Sequence, residues 1–392
     1  MIRILSVSSS RADVTILNAV WRALAERVDC DLHVFATGMH MAAGGQPVEG
    51  LPHSAGLHRG GMDLSGDAGA KAAAAMAAIT RDAGRTIAEV RPDAVLLVGD
   101  RLDMIPAALA ALPANVPLVH VHGGEITEGA IDDRIRHAMT KLSHLHCVSS
   151  SGAAARVAAM GEEAWRIHVT GAPALDTLLA VPELDADTFL RETRVLDLPG
   201  DPLALRLVTV HPETNADDPQ APLTAVLAAL EARPAPTLLT WPNSDPGGEA
   251  MRIEINRFAT AKAWAMLVNT LGPRLYASAL RHAAMMVGNS SSGLIEAGLF
   301  GLPVINVGDR QKGRERGPNV IDVANHADAV LQALDRLGPR PPRFRRFSPY
   351  GDGKAAPRIA DVLTNLPPWK RLVAKTGLTD IGAQGVQSAT AG

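Results

Sequence analysis

The sequence predicts an α/β chain built from two parallel-sheet domains. Three observations carry that prediction. Short runs of Val, Leu, Ile and Ala alternate with longer stretches of helical period. The alternation pauses over residues 181–202, which are rich in Pro and Asp, and then resumes. Polar loops rich in Gly, Ser and His follow the apolar runs, where the ligands of such sheets bind.

Ile2–Val7 reads as a buried strand, followed by Ser8-Ser9-Ser10-Arg11 and a helical pattern over Asp13–Arg27. Asp31–Thr37 reads as a second strand, and 38–66 as loops with one short element. Ala68–Arg91 has the pattern of a long helix, which Pro92 ends. Ala94–Val98 is a strand closing on Gly99-Asp100-Arg101, and Met104–Leu112 a helix. Leu118–Val121 is a strand, Asp132–Ser143 a helix, His146–Ser149 a strand, and Val169-Thr170-Gly171 opens a loop. The second series starts with the strand Leu205–Val210 and the helix Pro222–Glu231. Thr237–Thr240 is a strand, Tyr276–Ala284 a helix, Met285–Gly288 a strand, Ser290–Phe300 a helix and Pro303–Val307 a strand.

Composition narrows the function. At roughly 150 residues per domain, 392 residues make two or three domains. Lys and Arg total 38 against 41 Asp and Glu, a net charge of −3, which argues against a nucleic-acid partner. Aromatic residues are 3%, too few to offer many stacking platforms for single strands. Two cysteines, Cys30 and Cys147, make neither a disulfide framework nor a zinc set. The N-terminal run lacks the longer apolar stretch and cleavage site of a signal peptide, and no apolar run reaches the roughly 18 residues of a membrane span. A cytoplasmic protein without membrane contact is the expectation.

The strand-end loops hold the candidate chemistry. Gly288-Asn289-Ser290-Ser291-Ser292-Gly293 leads from a strand into a helix, where free N–H groups and hydroxyls suit an anion. Glu296 follows one to two turns later, placed to accept from ribose hydroxyls; a plain serine N-cap with a solvated Glu has the same pattern. Arg11, after the first strand, suits bidentate phosphate contact, or is a surface Arg beside a capped helix. Neither loop has the Walker or G-x-G-x-x-G pattern, so no dinucleotide cofactor is implied. Asp100 ends an apolar strand. His120 and His122 alternate in the next strand, and Gly123-Gly124 lets the backbone approach a ligand closely. Two His and Glu125 are followed by no further well-spaced ligand, so no metal is assigned. Asp132 and Arg136 lie four apart on a helix, as do Asp133 and His137. His211 follows the strand of the second series and can serve as acid or base.

Taken together these segments resemble the hydrolysing UDP-N-acetylglucosamine 2-epimerases. The ordered set is Ser10-Arg11-Ala12-Asp13, Gly99-Asp100-Arg101-x-Asp103, His122-Gly123-Gly124-Glu125 and Asp132-Asp133-x-x-Arg136-His137. It continues with Thr170-Gly171-x-Pro173, His211-Pro212-Glu213, Pro242-Asn243-x-Asp245, Gly288–Gly293 and Arg310-Gln311-x-Gly313-Arg314. The set runs from about residue 10 to 325.

The resemblance implies a GT-B architecture of two Rossmann-like domains, 1–180 and 181–345, with a cleft between them. It implies a helix in 346–368 that packs back on the first domain, ahead of a flexible tail, 369–392. It implies loss of UDP from C1, a glycal intermediate and rehydration to a free manno-type sugar for nonulosonic acid synthesis. Asp100, Glu125, Asp132 and His211 match the catalytic positions. Arg11, His122, Arg136, Asn243, Ser290, Ser291, Ser292, Gly293, Glu296 and Arg314 match substrate contacts. No cofactor or metal is implied, and a homo-oligomer, dimer or tetramer, is. Many relatives carry Glu where this chain has His122, so Glu125 takes the acid/base role with His122 as helper. The substrate is either UDP-N-acetylglucosamine or the UDP-2,4-diacetamido-2,4,6-trideoxyhexose of the legionaminic acid branch. A GT-B glycosyltransferase and a non-catalytic nucleotide-sugar binder are the competing readings; the Asp100 and Asp132 pair favours the epimerase.

Overall fold

The computed structural model describes residues 1–42, 47–62, 70–126, 131–213, 216–243 and 247–375, with the side chains of 131 and 132 outside that set. The chain divides into two compact units: Met1–Thr177 with the chain from Gly353 onward, and Leu178–Asp352.

The first unit holds β1 (Ile2–Ser8), β2 (Cys30–Ala36), β3 (Gly56–Arg59), β4 (Ala94–Val98), β5 (Leu118–Val121), β6 (Leu145–Val148) and β7 (Ile167–Val169). They pair in the order β3-β2-β1-β4-β5-β6-β7, every pair parallel. The second unit holds β8 (Arg206–Thr209), β9 (Thr237–Thr240), β10 (Ala265–Val268), β11 (Met285–Gly288), β12 (Val304–Val307) and β13 (Val320–Val323). Their order is β10-β9-β8-β11-β12-β13, again all parallel. Both sheets thus have the Rossmann-like order, which reverses between β1 and β4 and between β8 and β11. Ligands of such sheets bind beyond the carboxyl ends of the strands at that reversal.

Central strands are covered on both faces and read as unbroken apolar runs. β4, Ala94-Val95-Leu96-Leu97-Val98, is buried at every position, each Val or Leu contributing about 1.5–3 kcal/mol. The apolar clusters of the second unit lie on opposite sheet faces, with Val208 in one and its neighbour Leu207 in the other. Four strands escape the apolar-run reading: β3, β7, β10 and β13. All four are sheet edges, each with residues only partly buried; β3, β7 and β13 carry no continuous apolar stretch, whereas β10, Ala265-Met266-Leu267-Val268, is an apolar run that the sequence reading left unassigned.

The C-terminal helix is shorter than 346–368. It spans Ala355–Thr364, and Ala356, Ile359, Ala360 and Leu363 enter the core of the first unit. The Asp176 carboxylate accepts from Ala355 N at 2.9 Å and Ala356 N at 2.7 Å, capping its start. Residues 344–348 are not helical because their backbone is used elsewhere. Phe344 N donates to Gly301 O and Phe347 N to Gly298 O, both at 2.9 Å. No helix among the described residues is long and apolar enough to cross a membrane.

Candidate active site

In the first unit the loops after β4 and β5 bring carboxylates to one sheet edge, and the loop after β6 brings the Ser149 hydroxyl. After β5 the backbone turns left-handed at His122 (φ 67°) and again at Gly124 (φ 75°). A Cβ on Gly124 would meet Ala153 O at 2.3 Å, so only glycine fits there. That turn sets His122 Nδ1 2.7 Å from Glu125 Oε1, and Ser149, just beyond β6, donates its hydroxyl to the same oxygen at 2.7 Å. If the imidazole is neutral, its Nδ1–H donates to the ionised Glu125 carboxylate. His122, a non-glycine residue in the left-handed region, carries backbone strain of the kind that gathers at functional sites.

Arg136, on the helix Ile131–Leu142, is buried and ties the loops after β4 and β5 to that helix. It donates Nη1 to Asp133 Oδ1 and to Glu125 O, both at 2.6 Å, and pairs through Nη2 with Asp100. Sequence reading expected Arg136 to contact substrate. The structure joins it to Asp100 and Asp133, because β4 and β5 are neighbours in the sheet and the loop after β4 meets this helix. The Asp132 side chain lies outside the described residues.

Two further polar groups help fix these loops. His120 is fully buried, and its Nε2–H donates to Gly99 O at 2.7 Å. Burial pushes its pKa down to about 3, so it is neutral and takes no part in proton transfer near pH 7. After β1, the Asp13 carboxylate accepts from Ser9 N at 2.7 Å, Ser9 Oγ at 2.8 Å and Ser10 N at 2.9 Å, although burial raises its pKa. Arg101 reaches Ser9 Oγ and Asp103 Oδ1, both at 3.2 Å, tying the loops after β1 and β4 together. Arg11 is exposed at the first position of the helix Arg11–Ala25.

The second unit arranges its loops differently. His211, just beyond β8, is held by its backbone: its N–H donates to Asn289 Oδ1 at 2.7 Å, and Asn289 Nδ2 donates to its carbonyl at 2.9 Å. Asn243 N–H donates to His211 Nδ1 at 3.0 Å, so the neutral ring carries its proton on Nε2. The Glu213 carboxylate accepts from Asp309 N at 2.8 Å and Arg310 N at 3.0 Å, anchoring the basic loop after β12. Gln311 Nε2 donates to Asn289 O at 2.8 Å. Gly288 lies so near β8 that a Cβ would sit 1.9 Å from Thr209 O.

The helix after Ser290 spans only Ser291–Ile295, then tightens into a 3-10 turn, Ala297–Phe300. Its dipole is correspondingly small, so an anion here meets backbone N–H groups and hydroxyls rather than a long helix. Ser290 is the N-cap, its side chain accepting from Ser292 N. The Ser292 hydroxyl turns inward and donates to Glu296 Oε2 at 2.6 Å. Tyr276, missed by sequence reading, donates to the same Glu296 oxygen at 2.8 Å and also bonds Ser292. Burial and the Glu296 charge hold the Tyr276 phenol well above its usual pKa, so it stays protonated. Gly293 faces the sheet: a Cβ there would meet Val304 Cγ1 at 2.8 Å, so it permits close helix–strand packing. The partly buried Arg314 side chain makes no polar contact among the described residues.

Among the described residues no group of three or more His, Cys, Asp or Glu is arranged to hold a metal ion.

A family model described as UDP-N-acetylglucosamine 2-epimerase matches residues 22–364. The chain is 34% identical over 370 residues to a UDP-N,N'-diacetylbacillosamine 2-epimerase (hydrolyzing) of Legionella pneumophila, covering 93% of this chain and 96% of that one. It is 32% identical to a GDP/UDP-N,N'-diacetylbacillosamine 2-epimerase (hydrolyzing) of Campylobacter jejuni, covering 86% and 87%. Among solved structures it matches a UDP-GlcNAc 2-epimerase from Neisseria meningitidis bound to UDP-GlcNAc, with TM-score 0.73, 16% identity and coverage of 93% and 100%.

Proposed function

The chain belongs to the UDP-N-acetylglucosamine 2-epimerase family, an enzyme acting as a UDP-sugar 2-epimerase, and on that premise we propose that it is a hydrolysing one. The substrate is a UDP-2-acetamido sugar. The two relatives at 34% and 32% identity favour the 2,4-diacetamido-2,4,6-trideoxyhexose over N-acetylglucosamine.

The C1–O bond breaks and UDP leaves with the electron pair, giving oxocarbenium character that nearby carboxylates stabilise. A base takes the C2 proton, leaving a C1=C2 glycal. Water then adds its oxygen to C1, and C2 receives a proton on the opposite face, releasing the manno-type sugar that feeds nonulosonic acid synthesis. In this reading Glu125 and Asp132 exchange protons with the sugar and Asp100 stabilises positive charge. His211 donates from Nε2 to the leaving diphosphate. Arg11, Arg314 and the backbone of Ser290–Gly293 bind phosphate. Glu296 holds the ribose, and Asn243 sets the His211 ring. The same reading makes the enzyme a homo-oligomer, dimer or tetramer, which light scattering measures.

The observation that carries it is the bracing of one carboxylate oxygen, Glu125 Oε1, by both His122 and Ser149. Two aimed donors fix the orientation of a carboxylate, as a general base requires. The test is a product assay with both UDP sugars in D₂O. UDP, inverted free sugar and deuterium at C2 are expected. UDP release with no inversion and no deuterium overturns the proposal.

A further inference from the structure

Away from the strand-end loops, the second unit carries a small cavity of about 170 Å³. Three arginines, Arg281, Arg343 and Arg346, line it, with His282, Glu183 and Phe300. It lies at the end of the helix Gly272–His282 that leads into β11, whereas the serine loop leaves β11 at its other end.

Positive charge outweighs negative here, three arginines against the single carboxylate of Glu183. None of the three arginines has an ion pair among the described residues, and the exposed Glu183 makes none either. Arg343 caps the helix, donating Nη1 to Leu280 O at 2.9 Å and Nη2 to Ala283 O at 2.7 Å and to Arg281 O. Desolvation and the neighbouring Arg346 charge push its pKa down to about 10, the direction expected for cations that repel one another. Arg281 Nη1 is buried with no partner, while Nη2 reaches Val181 O only at 3.4 Å. Its guanidinium lies over the Phe300 ring, 5.2 Å from the centroid, which fixes its direction. His282 Nε2 is already bonded to Leu184 O at 2.7 Å.

The buried Arg281 Nη1 is costly to leave without a partner, and the exposed Arg343 and Arg346 hold two further positive charges beside it. One dianion with several acceptor oxygens relieves both, and the planar guanidinium fork suits phosphate geometry. We propose that the cavity bounded by Arg281, Arg343 and Arg346 is a binding site for a phosphate group, free or as a monoester. A capping duty explains Arg343 alone. It leaves Arg346 without any protein partner and Arg281 Nη1 unfilled.

The test titrates the full chain with inorganic phosphate at constant ionic strength, with excess UDP present to occupy any nucleotide site. Calorimetry and thermal unfolding follow binding. Saturable binding is expected, weakened at least tenfold in Arg346→Ala and abolished in Arg346→Glu, with unfolding in phosphate-free buffer unchanged. Arg281→Met weakens it likewise where that variant folds; the Arg346 variants carry the test where it does not. Glycerol 3-phosphate distinguishes the sources: equal or tighter variant-sensitive binding identifies an ester site, weaker binding a site for the free ion. Phosphate binding that is equal in the wild type and both Arg346 variants, or that never saturates, overturns the proposal.

Discussion

The two units share a strand order and differ in what their strand-end loops expose. In the first, the loops after β4, β5 and β6 carry Asp100, Glu125 and Ser149, held by charge: Arg136 joins Asp100 and Asp133 while His122 and Ser149 hold Glu125. In the second, the loops are held largely by amide and carboxylate bonds to the backbone. Asn289 clamps His211, Gln311 reaches Asn289 O, and Glu213 anchors Asp309 and Arg310. One scaffold therefore serves two chemistries. In the proposed reading, side chains braced on one another suit proton transfer to a sugar, whereas a backbone-built cradle beside a basic loop suits a diphosphate. Strand order chooses the place, and the bracing residues choose the chemistry.

The strongest way to break this contrast is Glu125→Gln. It keeps the shape and removes the proposed base, so turnover is expected to fall about 10²–10⁴-fold while UDP affinity measured by calorimetry stays the same. Equal losses of turnover and UDP affinity would remove the division of labour. Next comes Arg136→Met, which leaves Asp100 and Asp133 without their shared cation. Removing one partner of such a buried network costs about 3–5 kcal/mol, read from denaturant unfolding. A loss under about 1 kcal/mol would show that the bracing contributes little.

A third prediction concerns pH. The folded pKa values of His120, about 3, and His144, about 4, lie below the usual 6.5 of an unfolded histidine. The unfolded chain therefore binds protons that these folded histidines refuse. Stability is fully present above pH 6.5 and declines as pH falls toward the folded values. Each contributes a slope approaching about 1.4 kcal/mol per pH unit. Asp13, whose pKa is raised, acts in the opposite direction but nearer its own lower range. Denaturation midpoints between pH 6.5 and 5 should drop; a flat profile refutes the assignment of the buried His120 and the half-buried His144 as neutral groups. The smallest effect is expected of Tyr276→Phe, which removes one of two donors on Glu296. A net hydrogen bond of about 1 kcal/mol predicts a rise in KM near fivefold with kcat unchanged. A matching fall in kcat would place Tyr276 in the chemistry rather than in nucleotide binding.

Much of this was legible in the amino-acid order. The apolar runs Ala94–Val98, Leu118–Val121 and Met285–Gly288 appear as strands with the bounds expected of them, because a buried parallel strand needs an apolar residue on both faces. The punctuation that follows such runs, Gly99-Asp100, Gly123-Gly124 and Ser290–Ser292, marks their ligand-facing ends for the same reason. Edge strands such as β3 and β13 were not legible, since one exposed side weakens their pattern.

Only the tertiary structure decided which side chains meet. Ser149 reaches Glu125 from 24 positions away, Arg136 reaches Asp100 from 36, and Asn289 grips His211 from 78. Such partners come together through the lateral order of strands, which local periodicity does not encode. The same holds for residues whose local pattern suggested another role. Ser292 faces Glu296 rather than outward, and Gly293 faces Val304, because the short helix must lie close against β12. Periodicity and loop composition determined the two-sheet α/β class and the strand ends where chemistry gathers. Packing across neighbouring strands determined which of those residues hold, and which are held.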